Sequence, residues 1–117
     1  MSAEAGRIPV AVLAVGGNVS QGILKALRRS ALPLRVLGTD VSADQAGLYA
    51  ADEGHVLPWA SDPAFLPELA RVCRAGGVRA LMSGCEPILD FLVAHRAAVE
   101  AETGALCPVN TPEVHEI

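Results

Sequence analysis

Apolar positions along the chain fall into blocks whose spacing switches between continuous and helical. PVAVLAV (9–15) is apolar throughout and rich in valine, as in a strand covered on both faces. Behind it, Ile23, Leu24, Leu27 and Ala31 mark one side of a helix, and Lys25, Arg28 and Arg29 the other. LRVLG (34–38) predicts a second strand and HVLP (55–58) a short third. SADQAGLYAADEG between them has room for only a short helix or turn. Asp62-Pro63 opens the next helix, with Asp62 as N-cap and proline in the first turn. Its apolar stripe is Phe65, Leu66, Leu69, Ala70 and Cys73; Arg71 and Arg74 favour its negative end, and Gly76-Gly77 stop it. RALMS (79–83) predicts a fourth strand. SGCE has capping-box spacing, with Ser83 as cap and Glu86 as its reciprocal partner, ahead of a helix over 87–103 that Gly104 ends. ALCPV (105–109) predicts a brief fifth strand.

Strands alternating with helices imply parallel pairing with right-handed crossovers. The expected fold is α/β: a Rossmann-like three-layer domain with a mostly parallel sheet of about five strands. At 117 residues the chain is long enough to bury one core. Residues 1–7 read as a flexible N-terminus and 8–110 as the folded domain. Thr111-Pro112-Glu113 has the residues of a helix start, yet only VHEI follows, too short to hold a helix. Residues 111–117 are therefore expected to begin a linker or helix into a further domain.

Composition narrows the partners. The chain is 51% apolar, but no apolar run approaches the roughly 18 residues of a membrane span. MSAEAGR lacks the apolar core of a signal peptide. Net charge is −4, the nine bases are scattered, and aromatics make up only 3%. Neither the basic face nor the stacking platform that nucleic acid needs is present. Cys73, Cys85 and Cys107 form no metal-ligand or disulfide spacing, and a reducing cytoplasm is the expected compartment. No nucleic acid, membrane or metal is expected.

Candidate chemistry centres on AVGGNVSQG (14–22), a glycine-rich turn between strand and helix. The dinucleotide fingerprint GxGxxG fails here. Read from Gly16, its second and third glycines are replaced by Asn18 and Gln21; read from Gly17, Val19 replaces the second and only Gly22 falls into place. The glycines serve either an anion at the helix N-terminus or a tight turn, with Gly22 letting the helix approach the sheet. Asp40 lies where a ribose-binding acid is expected, or caps its own turn. Glu86 is a capping partner, or the one acid at the end of the fourth strand, facing the same edge as the glycine loop. Asp52 and Glu53 read as solvated acids, with a metal pair as the alternative. His55, His95 and His115 read as surface or packing residues. Cys85 stands near a helix N-terminus, which favours a thiolate, but no histidine partners it.

Taken in order, VLAVGGNVSQGILKALRRS, LRVLGTDVSADQAGLYAADEGHVLP, FLPELARVCRAGGVRALMSGCEPILDFL and NTPEVHEI resemble the N-terminal domain of ATP-grasp ligases, nearest to the carbamoyl-phosphate synthase large-chain group. The most specific part is GTD followed at a set distance by AGLYAADEGHVLP. The resemblance implies an enzyme that activates a carboxylate as an acyl phosphate with ATP and Mg2+ and then transfers it to an amine or other nucleophile. It places ATP and metal in later domains, so this chain is expected to hold no cofactor tightly and to be inactive alone. Gly16, Gly17, Asn18, Gln21, Gly22, Asp40 and Glu86 are then candidate contacts to a small carboxylate or amine substrate, with no catalytic residue among them. A stand-alone Rossmann-like module that binds NAD(P) or another nucleotide, or that dimerises, is the alternative.

Overall fold

A computed structural model describes residues 6–43 and 51–109. Four strands, β1 (Ile8–Leu13), β2 (Leu34–Asp40), β3 (Glu53–Val56) and β4 (Ala80–Ser83), form one parallel sheet in the order β3-β2-β1-β4. The helices are α1 (Asn18–Arg28), α2 (Phe65–Gly76), α3 (Glu86–Ala94) and α4 (Arg96–Thr103). The architecture is α/β and Rossmann-like in three layers, as the alternating pattern predicts, with one strand fewer.

The continuous apolar character of β1 has a direct cause. Ala11 and Leu13 face one core with Leu37, Leu81 and the buried sides of α2, α3 and α4. Val10 and Val12 face the other with Val36 and Leu24 of α1. A strand buried on both faces has no position for a polar side chain. Removing most of one such side chain, as in Leu37→Ala, costs about 2–5 kcal/mol.

Local signals at the helix ends hold with some corrections. Gly77 closes α2 in the left-handed region (φ 64°) and Gly104 closes α4 (φ 74°). Asp62 does not cap α2, whose N-cap is Ala64; its Oδ1 instead accepts the Ala64 amide at 2.8 Å, ordering the turn ahead of the helix. Ala31 lies beyond α1 and is exposed. Val72, absent from the predicted stripe of α2, is buried.

The predicted helix over 87–103 is two helices, broken at His95 (φ −124°, ψ 24°). One turn beyond buried Leu92, an unbroken helix would carry Arg96 onto the buried face. The break leaves Arg96 exposed and paired with Glu100 at 3.6 Å, while Val99 and Thr103 return to the core. The fifth strand reduces to one bridge, Ala80 with Leu106, because Pro108 has no N–H to extend a ladder. Among the described residues no helix is long and apolar enough to cross a membrane. Residues 1–5, 44–50 and 110–117 lie outside the described residues. So do most of SADQAGLYAADEG and the expected helix start at Thr111.

Candidate functional site

The sheet order reverses between β1 and β4, and open α/β sheets bind ligands at the carboxyl edge near such a point. Here the crevice at that point is closed by the chain itself. Ser20, fully buried at the start of α1, donates its hydroxyl to the Leu13 carbonyl at 3.0 Å and accepts the Gly84 amide at 2.9 Å. Ser83 donates to the same Leu13 carbonyl at 2.9 Å and accepts the Cys85 amide at 3.1 Å. Two hydroxyls thus clasp the β1–α1 and β4–α3 loops together. A Cβ on Gly84 would lie 2.3 Å from Val19 Cγ1, so only glycine fits between the loops.

The capping box is not formed. Cys85 is the N-cap of α3, without a side-chain capping bond, and Ser83 is spent on the clasp. The Ser83 oxygen accepts the Cys85 amide, two residues on, in place of the amide three residues on that a capping box needs.

The open space lies to the other side, above β1, β2 and β3. A cavity of about 290 Å³ is lined by Ala14, Gly16 and Gly17 from the first loop and by Thr39, Asp40 and Val41 at the end of β2. Leu57, Pro58, Trp59 and Ala60 after β3, with Cys85, Pro87 and Ile88 at the start of α3, complete it. The turn that forms its floor departs from the glycine expectation. Ala14 takes the left-handed conformation (φ 56°), and its carbonyl accepts the Gly17 amide at 3.1 Å. Gly17 itself is extended (φ −77°, ψ 149°).

Asp40 organises the site. Its Oδ2 accepts the Gly16 amide at 2.8 Å and its Oδ1 accepts the Val41 amide at 2.7 Å. The carboxylate ties the glycine loop to the end of β2, and the Gly16 amide already holds an anion. Of the candidates from sequence, Gly16, Gly17 and Asp40 meet at this cavity. Asn18 opens α1; Gln21 and Gly22 lie further along it, and none of the three is in the lining. A Cβ on exposed Gly22 would meet nothing within 4 Å, so close packing on the sheet is not its role; Gly84 has the close approach instead. Glu86 is exposed at the first position of α3, between two lining residues but not itself in the lining.

Sequence reasoning missed the wall formed by Leu57, Pro58, Trp59 and Ala60. The available signal was the chain's one tryptophan directly after a parallel strand, 67% exposed in the structure. Bulky apolar side chains there line the edge where such sheets bind ligands.

Several other titratable groups have structural partners. Asp52 accepts the Val36 amide at 2.8 Å and pairs with Arg7 at 2.9 Å and Arg28 at 3.3 Å. Burial raises its pKa, but the Val36 amide and the two guanidiniums outweigh this and hold it below the usual carboxylate value. Glu53 pairs with Arg35 and with His55. Among the described residues no three His, Cys, Asp or Glu side chains converge to hold a metal. The His95 ring packs at a 45° tilt against Phe91, with centroids 4.7 Å apart, and His115 lies outside the described residues. Burial pushes the Cys73 and Cys107 thiols up to about 11, so both behave as small apolar core groups.

No curated protein sequence matches the chain. The family model for the PylC-like N-terminal domain matches residues 10–106, from the middle of β1 through the bridge at Leu106. That span takes in the whole cavity, the serine clasp and every strand of the sheet but the start of β1. The chain therefore belongs to the PylC-like N-terminal domain family, a pre-ATP-grasp domain of ATP-grasp ligases.

Proposed function

We propose that this chain is the substrate-side N-terminal domain of a carboxylate–amine (or ammonia) ligase that works through an acyl phosphate. ATP and Mg2+ belong to the domains that follow, and the chain alone is inactive. The setting is cytoplasmic, in keeping with three free thiols. Kinship with the carbamoyl-phosphate synthase large-chain group is part of the same reading. Family membership is its main support. The site adds a second: the glycine loop borders a small organic-sized cavity, while the crevice a dinucleotide would occupy is closed by Ser20, Val19 and Gly84.

The native gene product tests this first. A polypeptide several-fold longer than this chain, releasing ADP only when both a carboxylate and an amine are supplied, is the expected result. A product that ends near Ile117 would remove the ligase reading. In the long polypeptide Glu86→Ala is expected to lower turnover; unchanged turnover would take Glu86 out of the site. Asp40 at the tip of β2 keeps one rival in view, a stand-alone NAD(P)-binding module. NADH binding to this chain at micromolar concentration would favour that rival.

A further inference from the structure

The charge around the cavity is one-sided. All nine lysines and arginines of the chain lie within the described residues, and none of them lines the cavity. His55 and His95 are also absent from the lining. Residues 1–5, 44–50 and 110–117 contain no lysine or arginine that could enter from outside the described part. Asp40 is the one acidic side chain among the described lining residues, and it is partly buried.

Its oxygens are not exhausted. A carboxylate offers about four acceptor directions, and the Gly16 and Val41 amides take two. Those amides also fix the carboxylate in place, so it needs no reordering to receive a partner. The walls are apolar, with Val41, Leu57, Pro58 and Ile88 prominent, and an apolar wall strengthens a charge–charge contact. Trp59 adds an indole face, which attracts cations. A ligand anion would meet the opposite conditions: a fixed like charge, and a Gly16 amide already engaged.

We propose that this cavity binds a primary ammonium group carried on a short apolar body, with Asp40 as the counter-charge and Trp59 beside the chain that bears it. The proposal rests on the reading of the cavity as the ligase's substrate pocket, and it deepens that reading by giving the ligand a sign. The ammonium held here is a recognition handle. A protonated amine has no lone pair with which to attack an acyl phosphate, so the reacting group lies elsewhere on the ligand.

Because Trp59 is the sole tryptophan, its fluorescence reports the cavity directly. The 117-residue chain is titrated at constant ionic strength with n-pentylammonium, 1-pentanol and pentanoate, which share one apolar body and differ in charge. Pentylammonium is expected to bind at least about tenfold more tightly than either of the others, the size of one charge-assisted hydrogen bond. Asp40→Asn is expected to erase that preference. Since this change also disturbs the Gly16 and Val41 amides, Pro87→Lys serves as a second variant: it adds a cation at an exposed lining position and is expected to abolish the preference while pentanol binding persists. Equal binding of the three probes overturns the proposal. So does absence of pentylammonium binding, or a preference that survives Pro87→Lys. None of these outcomes bears on whether the native product is a ligase, which is read from its length and its ADP release.

Discussion

Gly84→Ala is the most demanding single test of the clasp. The new methyl would sit 2.3 Å from Val19 Cγ1, 2.4 Å from Val19 Cβ and 2.9 Å from the Ser20 backbone nitrogen. A flexible side-chain end could move aside, but a Cβ and a backbone atom in the first turn of α1 cannot. Overpacking of this kind costs about 1–3 kcal/mol. Displacing the Gly84 amide from Ser20 Oγ adds about 1 kcal/mol, the net value of one hydrogen bond. The expected loss is therefore about 2–4 kcal/mol, a large share of the 5–15 kcal/mol typical of a domain.

Urea unfolding followed by Trp59 fluorescence reads this as a lower midpoint with unchanged slope. Val19→Gly supplies the control, because it removes both side-chain atoms that clash. Val19 is 63% exposed, so that change alone should cost only about 0.5 kcal/mol of helix propensity. In the double variant the losses should fall short of additivity by at least about 1 kcal/mol. A Gly84→Ala protein within about 0.5 kcal/mol of the parent, or strictly additive losses, would refute the close approach.

Three further outcomes follow from the same contacts. Ser20→Ala leaves the Gly84 amide without its acceptor and should cost about 1–3 kcal/mol by the same unfolding assay. Ala14→Gly relieves a left-handed alanine; the gain of about 1–2 kcal/mol, less the flexibility that glycine adds to the unfolded chain, should raise the melting temperature by a few degrees. Asp52 has a folded pKa below its unfolded value, so its contribution is full above about pH 4 and is lost as pH falls through the folded pKa. Asp52→Asn should accordingly flatten the acid limb of stability against pH; an unchanged limb would remove the Arg7 and Arg28 pairs as its source.

The layers of the fold were legible because period and burial are coupled residue by residue. A short, valine-rich run such as PVAVL has no polar face to offer solvent, so as a strand it must be covered on both faces, and β1 is central. Gly77 and Gly104 were legible for a similar reason, since a left-handed helix end is cheap only for glycine. What escaped depends on distance in the chain. Nothing local distinguishes a serine that caps its own helix from one that reaches a carbonyl 70 residues away, as Ser83 does with Leu13. The break at His95 follows from where Arg96 would fall relative to the core, and no nearby proline or glycine announces it. The cavity is assembled from four separate strand and helix ends, and only its first was marked by glycines.

The glycine loop therefore separates two properties that sequence patterns usually carry together. Its shape, a strand turning into the N-terminus of α1, is that of a phosphate loop. Its chemistry is set by a residue 24 positions away: the Asp40 carboxylate occupies the Gly16 amide that a phosphate oxygen would otherwise seek. An acid at the tip of β2 can bind ribose only if its oxygens are turned outward toward the ligand. Here each oxygen accepts one backbone amide, so the carboxylate braces the turn and keeps only its remaining lone pairs for a ligand's donor. Bracing and binding are compatible for a cation, which can approach the remaining lone pairs, and incompatible for an anion. That asymmetry, more than the departure from GxGxxG, is the physical ground for the proposal that this edge of the sheet meets an ammonium-bearing ligand.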